Sequence, residues 1–225
     1  MKLAIFGATG TVGGALLTQA LDAGHQVRAL ARTPSKINRT DPSLTVVPVD
    51  AKDPEAVRTT LTGCEAVLST LGGPADPDSI SVGTATVMSA MRSGGISRFI
   101  IMQGFHLGFP GDADNFGRKA ILPVLWLMSH DLIRDSRAMA TTVRSSDLDW
   151  TVVRAPRVVV GSRTGSYRTG VLKLGPWDSV TNADVADFML RCLLDATTVP
   201  HGADGGGRWR AARDAGLTAV PSDQN

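Results

Sequence analysis

The stretch "IFGATGTVGG", residues 5–14, decides the fold. It sets glycines at 7, 10 and 13 after the apolar run "KLAIF" (2–6) and opens the segment "TVGGALLTQALDAG" (11–24). In that segment Leu16, Leu17, Ala20 and Leu21 share one helical face, and Gly24 is a stop signal. The pattern is a buried strand turning into a helix through bare backbone. Gly7 permits the tight turn, Gly10 lets the chain approach a diphosphate, and Gly13 and Gly14 let the helix lie close to the sheet. With Thr9, Thr11 and Val12, this loop and first helical turn present backbone N–H groups and a positive dipole end to phosphates. The spacing is Gly-x-x-Gly-x-x-Gly, not the plain dinucleotide fingerprint, and no Gly-Lys-Ser/Thr follows to make a Walker A loop.

Working outward, strand-like and helix-like segments alternate. "QVRALAR" (26–32), "SLTVVPVD" (43–50), "EAVLSTLGG" (65–73), "RFIIMQG" (98–104) and "LDWTVVRAP" (148–156) read as strands. "DPEAVRTTL" (53–61) reads as a helix with Asp53 as N-cap and Pro54 at its first position. "SISVGTATVMSAMRSGG" (79–95) reads as a helix, the segment over 122–146 as one long helix or a loop that enters one, and "NADVADFMLRCLLD" (182–195) as a helix. In the last, Val185, Phe188, Met189, Cys192 and Leu193 face inward. Nearly all-apolar strands separated by helices predict an α/β fold: a doubly wound, mostly parallel Rossmann-type sheet in a single domain. The expected unit spans 1–200, with a small substrate-covering segment at 157–181 and an irregular tail at 201–225.

The bulk numbers narrow the functions. The chain has 225 residues, 43% hydrophobic and 20% charged, with a formal net charge of +2. That balance gives no global pull toward nucleic acid or a membrane surface. No apolar stretch is long enough for a bilayer span or a signal-peptide core, so a cytoplasmic protein is expected. Cys64 and Cys192 stand far apart without metal-ligand spacing and read as reduced, buried thiols. No metal site is expected.

The end of the second strand speaks to cofactor choice. A site for NAD usually carries an acid there for the ribose 2′-hydroxyl. This chain has "LARTPSK" instead, and Arg32, Thr33 and Lys36 suit the 2′-phosphate of NADP(H). Asp50 and Ala51, after the third strand, either meet the adenine or cap the next turn. Leu71, Gly72 and Gly73 end the fourth strand under the cofactor ribose. Met102 and Gln103, at the end of the fifth strand, and Pro156 and Arg157, after the sixth, complete the expected cofactor set.

The segments "IFGATGTVGG", "ALART", "VVPVDAKDPEAV", "LDWTVVRAPRV", "TGSYR" and "NADVADFMLRCLLD" together resemble the atypical short-chain dehydrogenases. Among these they are most similar to the small NAD(P)H-binding proteins of the biliverdin-IXβ reductase/flavin reductase and NmrA-like type, over roughly residues 1–195. The resemblance implies hydride transfer to a flavin, quinone or similar flat acceptor. Short-chain dehydrogenases that reduce carbonyls use a Tyr-x-x-x-Lys pair. Tyr167, the one tyrosine here, is followed four residues on by Val171 and lies after the sixth strand. Flavin-reductase-like relatives often carry a serine after strand five and a histidine on the next helix. Those positions are Gly104 and Ser136 in this chain.

No proton donor is therefore assigned. The catalytic candidates are Gln103, His106, His130 and Ser136, with Asp131 and Arg134 beside His130 on the same helical neighbourhood. "FHLGF" (105–109) and "LPVLWLM" (122–128) either wall a pocket for a flat ring or form core or a subunit contact. Two functions stay open: an NADPH-dependent reductase, and a non-catalytic NADP(H)-sensing regulator of the NmrA-like type. A monomer or a homodimer fits either one.

Overall fold

Alternating apolar segments fold as the pattern dictates. A computed structural model describes residues 1–72, 78–107, 116–170, 178–194 and 213–219. In chain order the elements are β1 (Lys2–Phe6), α1 (Thr11–Asp22), β2 (Gln26–Ala31), a 3₁₀ turn (Pro34–Lys36), β3 (Leu44–Pro48), α2 (Pro54–Leu61), β4 (Ala66–Ser69) and α3 (Ser81–Ser93). Then come β5 (Arg98–Gly104), α4 (Phe116–Arg144), β6 (Asp149–Ala155), β7 (Arg157–Val159), β8 (Tyr167–Gly170), β9 (Ser179–Thr181), α5 (Asn182–Leu194) and β10 (Arg213–Ala219).

The strands form an eight-stranded sheet in the order β3-β2-β1-β4-β5-β6-β10-β8, with β7 and β9 paired in a second small sheet. β1 through β6 run parallel, as short helical crossovers require. The order reverses between β1 and β4, and this switch point opens a crevice at the carboxyl edge.

Both sheet faces are covered, which explains strands without polar alternation. Leu3, Ile5, Val27, Ala29, Ala66, Leu68 and Ile100 point to one face and pack with α1 and α5. Their neighbours Ala4, Phe6, Leu30, Val67, Phe99 and Ile101 point to the other and pack with α2, α3 and α4. The expected inner faces of α1 and α5 are the buried ones.

Asp53 caps α2 as its position predicts, accepting from the Glu55 and Ala56 backbone N–H groups at 3.1 Å. α3 has no side-chain cap of its own. Its cap comes from across the fold. Buried Asp135 on α4 accepts from the Ile80 N–H (2.9 Å) and the Ser81 N–H (2.8 Å).

Two expectations need correction. α4 starts at Phe116 rather than near Leu122, so Pro123 stands inside the helix instead of in its first turn. The tail expected to be irregular contains β10, which pairs parallel with β6 and antiparallel with β8. "RDAGLTA" carries little strand pattern of its own, and ladder partners on both sides make it a strand. The rest of the tail, 201–212 and 220–225, lies outside the described residues, as do Gly73 and residues 108–109 of "FHLGF". In "LPVLWLM" the described part is the helix backbone and the exposure of Pro123.

Candidate functional site

A cleft of about 200 Å³ lies across the carboxyl ends of β1, β2, β3 and β4. β1 contributes Phe6 and the turn residues Gly7, Thr9 and Gly10, and the β2 end contributes Arg32, Thr33 and Lys36. The β3 end adds Asp50, Ala51 and Lys52, and the β4 end adds Thr70, Leu71 and Gly72, with Ser79 before α3. Ten of the residues expected from sequence line this cleft: Gly7, Thr9, Gly10, Arg32, Thr33, Lys36, Asp50, Ala51, Leu71 and Gly72.

The three glycines do different work. Gly7 sits at φ +76°, a conformation that side chains disfavour, and a Cβ there would come within 2.6 Å of Thr70 Oγ1. At Gly13 a Cβ would lie 2.0 Å from the Gly7 carbonyl oxygen, so glycine is required for α1 to seat on the turn. Gly10 is extended, with φ −83°, and a Cβ there would meet one atom, Gly7 O at 3.3 Å. That contact is tight and falls on backbone, but it is far milder than those at Gly7 and Gly13, and Gly10 lines the cleft. Gly14 differs from expectation. A Cβ there would meet Ala8 O at an ordinary 3.7 Å, so close helix packing rests on Gly13 alone.

Sequence reasoning missed Thr70 and Lys52. Thr70 N donates to Phe6 O (3.0 Å), and its Oγ1 lies 3.1 Å from Phe6 O and 3.2 Å from Gly7 O, fixing the turn against β4. Lys52 brings a third cation to a lining whose one described carboxylate is Asp50. Asp50 is a turn-former: its Oδ1 accepts from Lys52 N at 2.9 Å. That favours the capping alternative left open by the sequence.

Thr11, Val12, Met102, Gln103, Pro156 and Arg157 lie outside the lining of this cleft. Val12 turns into the α1 core. Gln103 is buried at the end of β5, paired in register with Arg154 of β6. Pro156 is buried beyond β6, and Arg157 is exposed at the start of β7.

The catalytic candidates separate. His106 occupies a tight turn after β5 closed by Leu107 N to Gly104 O at 3.1 Å. Phe105 N donates to Ala155 O (2.8 Å), and buried Arg154 Nη1 donates to Leu107 O (2.9 Å), pinning the turn to β6. The imidazole lies over Gly104, where a Cβ would be 2.5 Å from Nδ1. Its Nε2 is buried without a hydrogen-bond partner. Burial, then the charge of Arg137 on α4, lowers its pKa below the usual imidazole range. Ser136 is buried with an unpartnered Oγ. His130 is 65% exposed and pairs with Asp131 at 3.1 Å, and Arg134 is exposed as well. The structure thus puts His130, Asp131 and Arg134 on the surface of α4 and His106 just past the end of β5, the strand next to β4.

Residues 7–196 match the family model described as NAD(P)H-binding. The chain belongs to the NAD(P)H-binding family. Curated relatives match in part. The oxidase pynE of Aspergillus niger is 41% identical over 104 residues, 41% of this chain and 35% of that protein. An uncharacterized Mycobacterium tuberculosis protein is 30% identical over 107 residues, 47% of this chain and 12% of that one. These alignments span about a third of the first relative's length and an eighth of the second's. Among solved structures, the oxidoreductase ylbE of Lactococcus lactis superposes with a TM-score of 0.77 at 20% identity, covering 98% of this chain and 91% of that one. An Escherichia coli protein, ChuY, named an anaerobilin reductase, gives 0.75 at 21% identity, covering 100% and 99%. At these identities the likeness is one of fold.

The cleft fits the family's dinucleotide. Gly10, at the N-cap of α1, has no side chain to cap with and no acidic residue stands in the first turn, so the N–H groups and dipole of this end suit an anion. The lone tyrosine is engaged elsewhere. Tyr167 OH donates to Asp187, its ring stacks edge-on against Phe188 at 5.9 Å, and Arg191 lies 5.4 Å over the ring. Burial, then the hydrogen bond to Asp187, raises its pKa well above the usual phenol range. Asp187 is itself buried and bridged by Arg163 (2.6 Å) and Arg191 (2.9 Å). This cluster braces β8 on α5. Among the described residues no group of His, Cys, Asp or Glu is arranged to hold a metal, and no helix is long and apolar enough to cross a membrane.

Proposed function

We propose that this protein is an NADPH-dependent reductase that passes hydride to a flavin, quinone or similar flat acceptor. The observation that carries the reading is the charge of the cleft. Arg32 and Lys36 at the β2 end and Lys52 at the β3 end face it, with no acid where a 2′-hydroxyl would need one. These cations and the Thr33 hydroxyl would hold the 2′-phosphate. Gly7, Thr9 and Gly10 with the first turn of α1 would hold the diphosphate, and Leu71, Gly72 and the β5 and β6 ends would run along the nicotinamide half.

When bound, the reduced nicotinamide supplies the hydride. A flat acceptor asks the protein chiefly to set two rings in register and exclude water, and the remaining proton comes from solvent. The engagement of Tyr167 with Asp187 agrees with a reaction that uses no tyrosine acid. The reductase name of one structural neighbour agrees with a reductive role. The protein acts in the cytoplasm as a monomer or homodimer.

The rival is a sensor that binds NADP(H) and turns nothing over. The absence of a tyrosine from the cleft lining favours it. The test is titration with NADPH and NADH, then NADPH oxidation with FMN, riboflavin or a simple quinone. Acceptor-dependent oxidation is expected. Tight binding of NADPH with no oxidation by any acceptor overturns the reductase in favour of the sensor.

A further inference from the structure

We propose that His106 anchors the acceptor: its Nε2 donates a hydrogen bond to a carbonyl oxygen on the edge of a flat, conjugated ring of the quinone or flavin class. This rests on the reductase reading above. Three observations carry it.

Nε2 is buried and has no hydrogen-bond partner, although buried polar atoms are almost always paired. An unpaired buried polar atom is costly, and a ligand oxygen that reached it would supply the missing partner. The ring is also held in place from several sides. Leu107 N closes the turn on Gly104, Phe105 N is tied to β6, and Arg154 reaches from β6 to Leu107 O. The bare Cα of Gly104 provides the space the imidazole fills, since a Cβ there would come within 2.5 Å of Nδ1. Finally, this turn leaves the carboxyl end of β5, the strand next to β4, whose end lines the dinucleotide cleft. An acceptor stacked beyond that cleft lies against the β5 end.

The lowered pKa favours the neutral ring, which carries one N–H, and the proposed contact requires that hydrogen on Nε2. The contact itself moves no electrons. The acceptor would take two electrons and one hydrogen as hydride from the reduced dinucleotide, which is thereby oxidised, and a single proton from water would complete its reduction. As negative charge builds on the acceptor oxygen, the hydrogen bond it accepts from Nε2 strengthens.

The test uses the full chain as wild type, His106→Ala, His106→Asn and Gly104→Ala. NADP⁺ affinity is measured alone. FMN and menadione affinity is measured on the NADP⁺-loaded protein, and kcat and KM are measured for NADPH oxidation. His106→Ala should weaken acceptor binding about tenfold or more and lower kcat/KM by a similar factor, with NADP⁺ affinity within twofold of wild type. Gly104→Ala, which displaces the ring without removing it, should move the same quantities in the same direction. His106→Asn, which retains an N–H donor, should recover part of the loss. Acceptor binding and turnover unchanged in His106→Ala overturn the anchor and leave the reductase standing. A parallel loss of NADP⁺ binding also overturns it, because the role is then structural. A wild type that binds NADP⁺ but neither binds nor reduces any acceptor overturns the reductase reading and the anchor together.

Discussion

A Cβ on Gly13 would lie 2.0 Å from the carbonyl oxygen of Gly7 and 2.8 Å from Thr70 Oγ1, so α1 rests directly on the turn that launches it and on the end of β4. Close-packed backbone cannot yield as a side-chain tip can. Gly13→Ala is expected to lower stability by about 3 kcal/mol. Gly14→Ala, one position along the same helix, has room and should be neutral or stabilising by up to ~1 kcal/mol. Urea unfolding of the two variants checks this. Equal stabilities would remove Gly13 from the packing argument.

Gly10 gives the opposite expectation. Its extended φ of −83° suits any residue, and a Cβ there needs the Gly7 carbonyl oxygen, at 3.3 Å, to give by only a few tenths of an ångström. Gly10→Val should therefore fold but place a branched side chain where the diphosphate lies, abolishing dinucleotide binding. Circular dichroism and an NADPH titration read the two halves. Retained affinity would sink the diphosphate role of this loop.

Arg32 tests cofactor choice. It lines the cleft with Thr33 and Lys36 at the end of β2, where no carboxylate stands. Arg32→Ala should weaken NADPH by on the order of 1–3 kcal/mol, the value of a charge-assisted hydrogen bond. NADH should change little. Equal losses for the two cofactors would refute a 2′-phosphate contact.

What the sequence made legible follows from range. Leu3 to Phe6 and Leu16 to Leu21 declare their elements through local period, and the glycine turn between them declares itself by spacing. Together these located β1, α1 and much of the cleft. Thr70 and β10 were not visible because each is defined by a distant partner, and Lys52 because only the folded sheet brings the β3 end to the cleft. Thr70 matters through Phe6 and Gly7, more than sixty residues away. β10 exists through ladders to β6 and β8 rather than through its own composition. Arg154 sits in an apolar strand, and its bond to Leu107 O, invisible in the sequence, helps a charge to be tolerated there.

Asp135 shows the same long-range logic and can be tested. It caps α3 from α4, accepting from the backbone of Ile80 and Ser81. Asp135→Ala leaves those N–H groups without their acceptor in a buried place, so a loss of about 2 kcal/mol is expected. Asp135→Asn retains one acceptor oxygen and should lose less. Hydrogen exchange of the α3 amides locates the effect. Unchanged exchange in α3 would show that the cap contributes nothing.

Tyr167 separates a structural tyrosine from a catalytic one. Its hydroxyl is committed to buried Asp187, which Arg163 and Arg191 also hold. Tyr167→Phe should cost about 1 kcal/mol of stability, the net value of one hydrogen bond, and leave acceptor-dependent turnover unchanged. The raised pKa adds a pH signature. The folded chain keeps the phenol protonated at a pH where the unfolded chain has lost the proton. The unfolded state then binds fewer protons, so stability falls as pH rises. The contribution is fully present below about pH 10, the ordinary phenol pKa, and is lost as pH climbs toward the folded value. The slope for one proton is at most ~1.4 kcal/mol per pH unit. Wild type should lose stability through this alkaline window faster than Tyr167→Phe. Parallel alkaline profiles would place the phenol in a solvated environment, and a lost turnover in Tyr167→Phe at full stability would return the tyrosine to the chemistry.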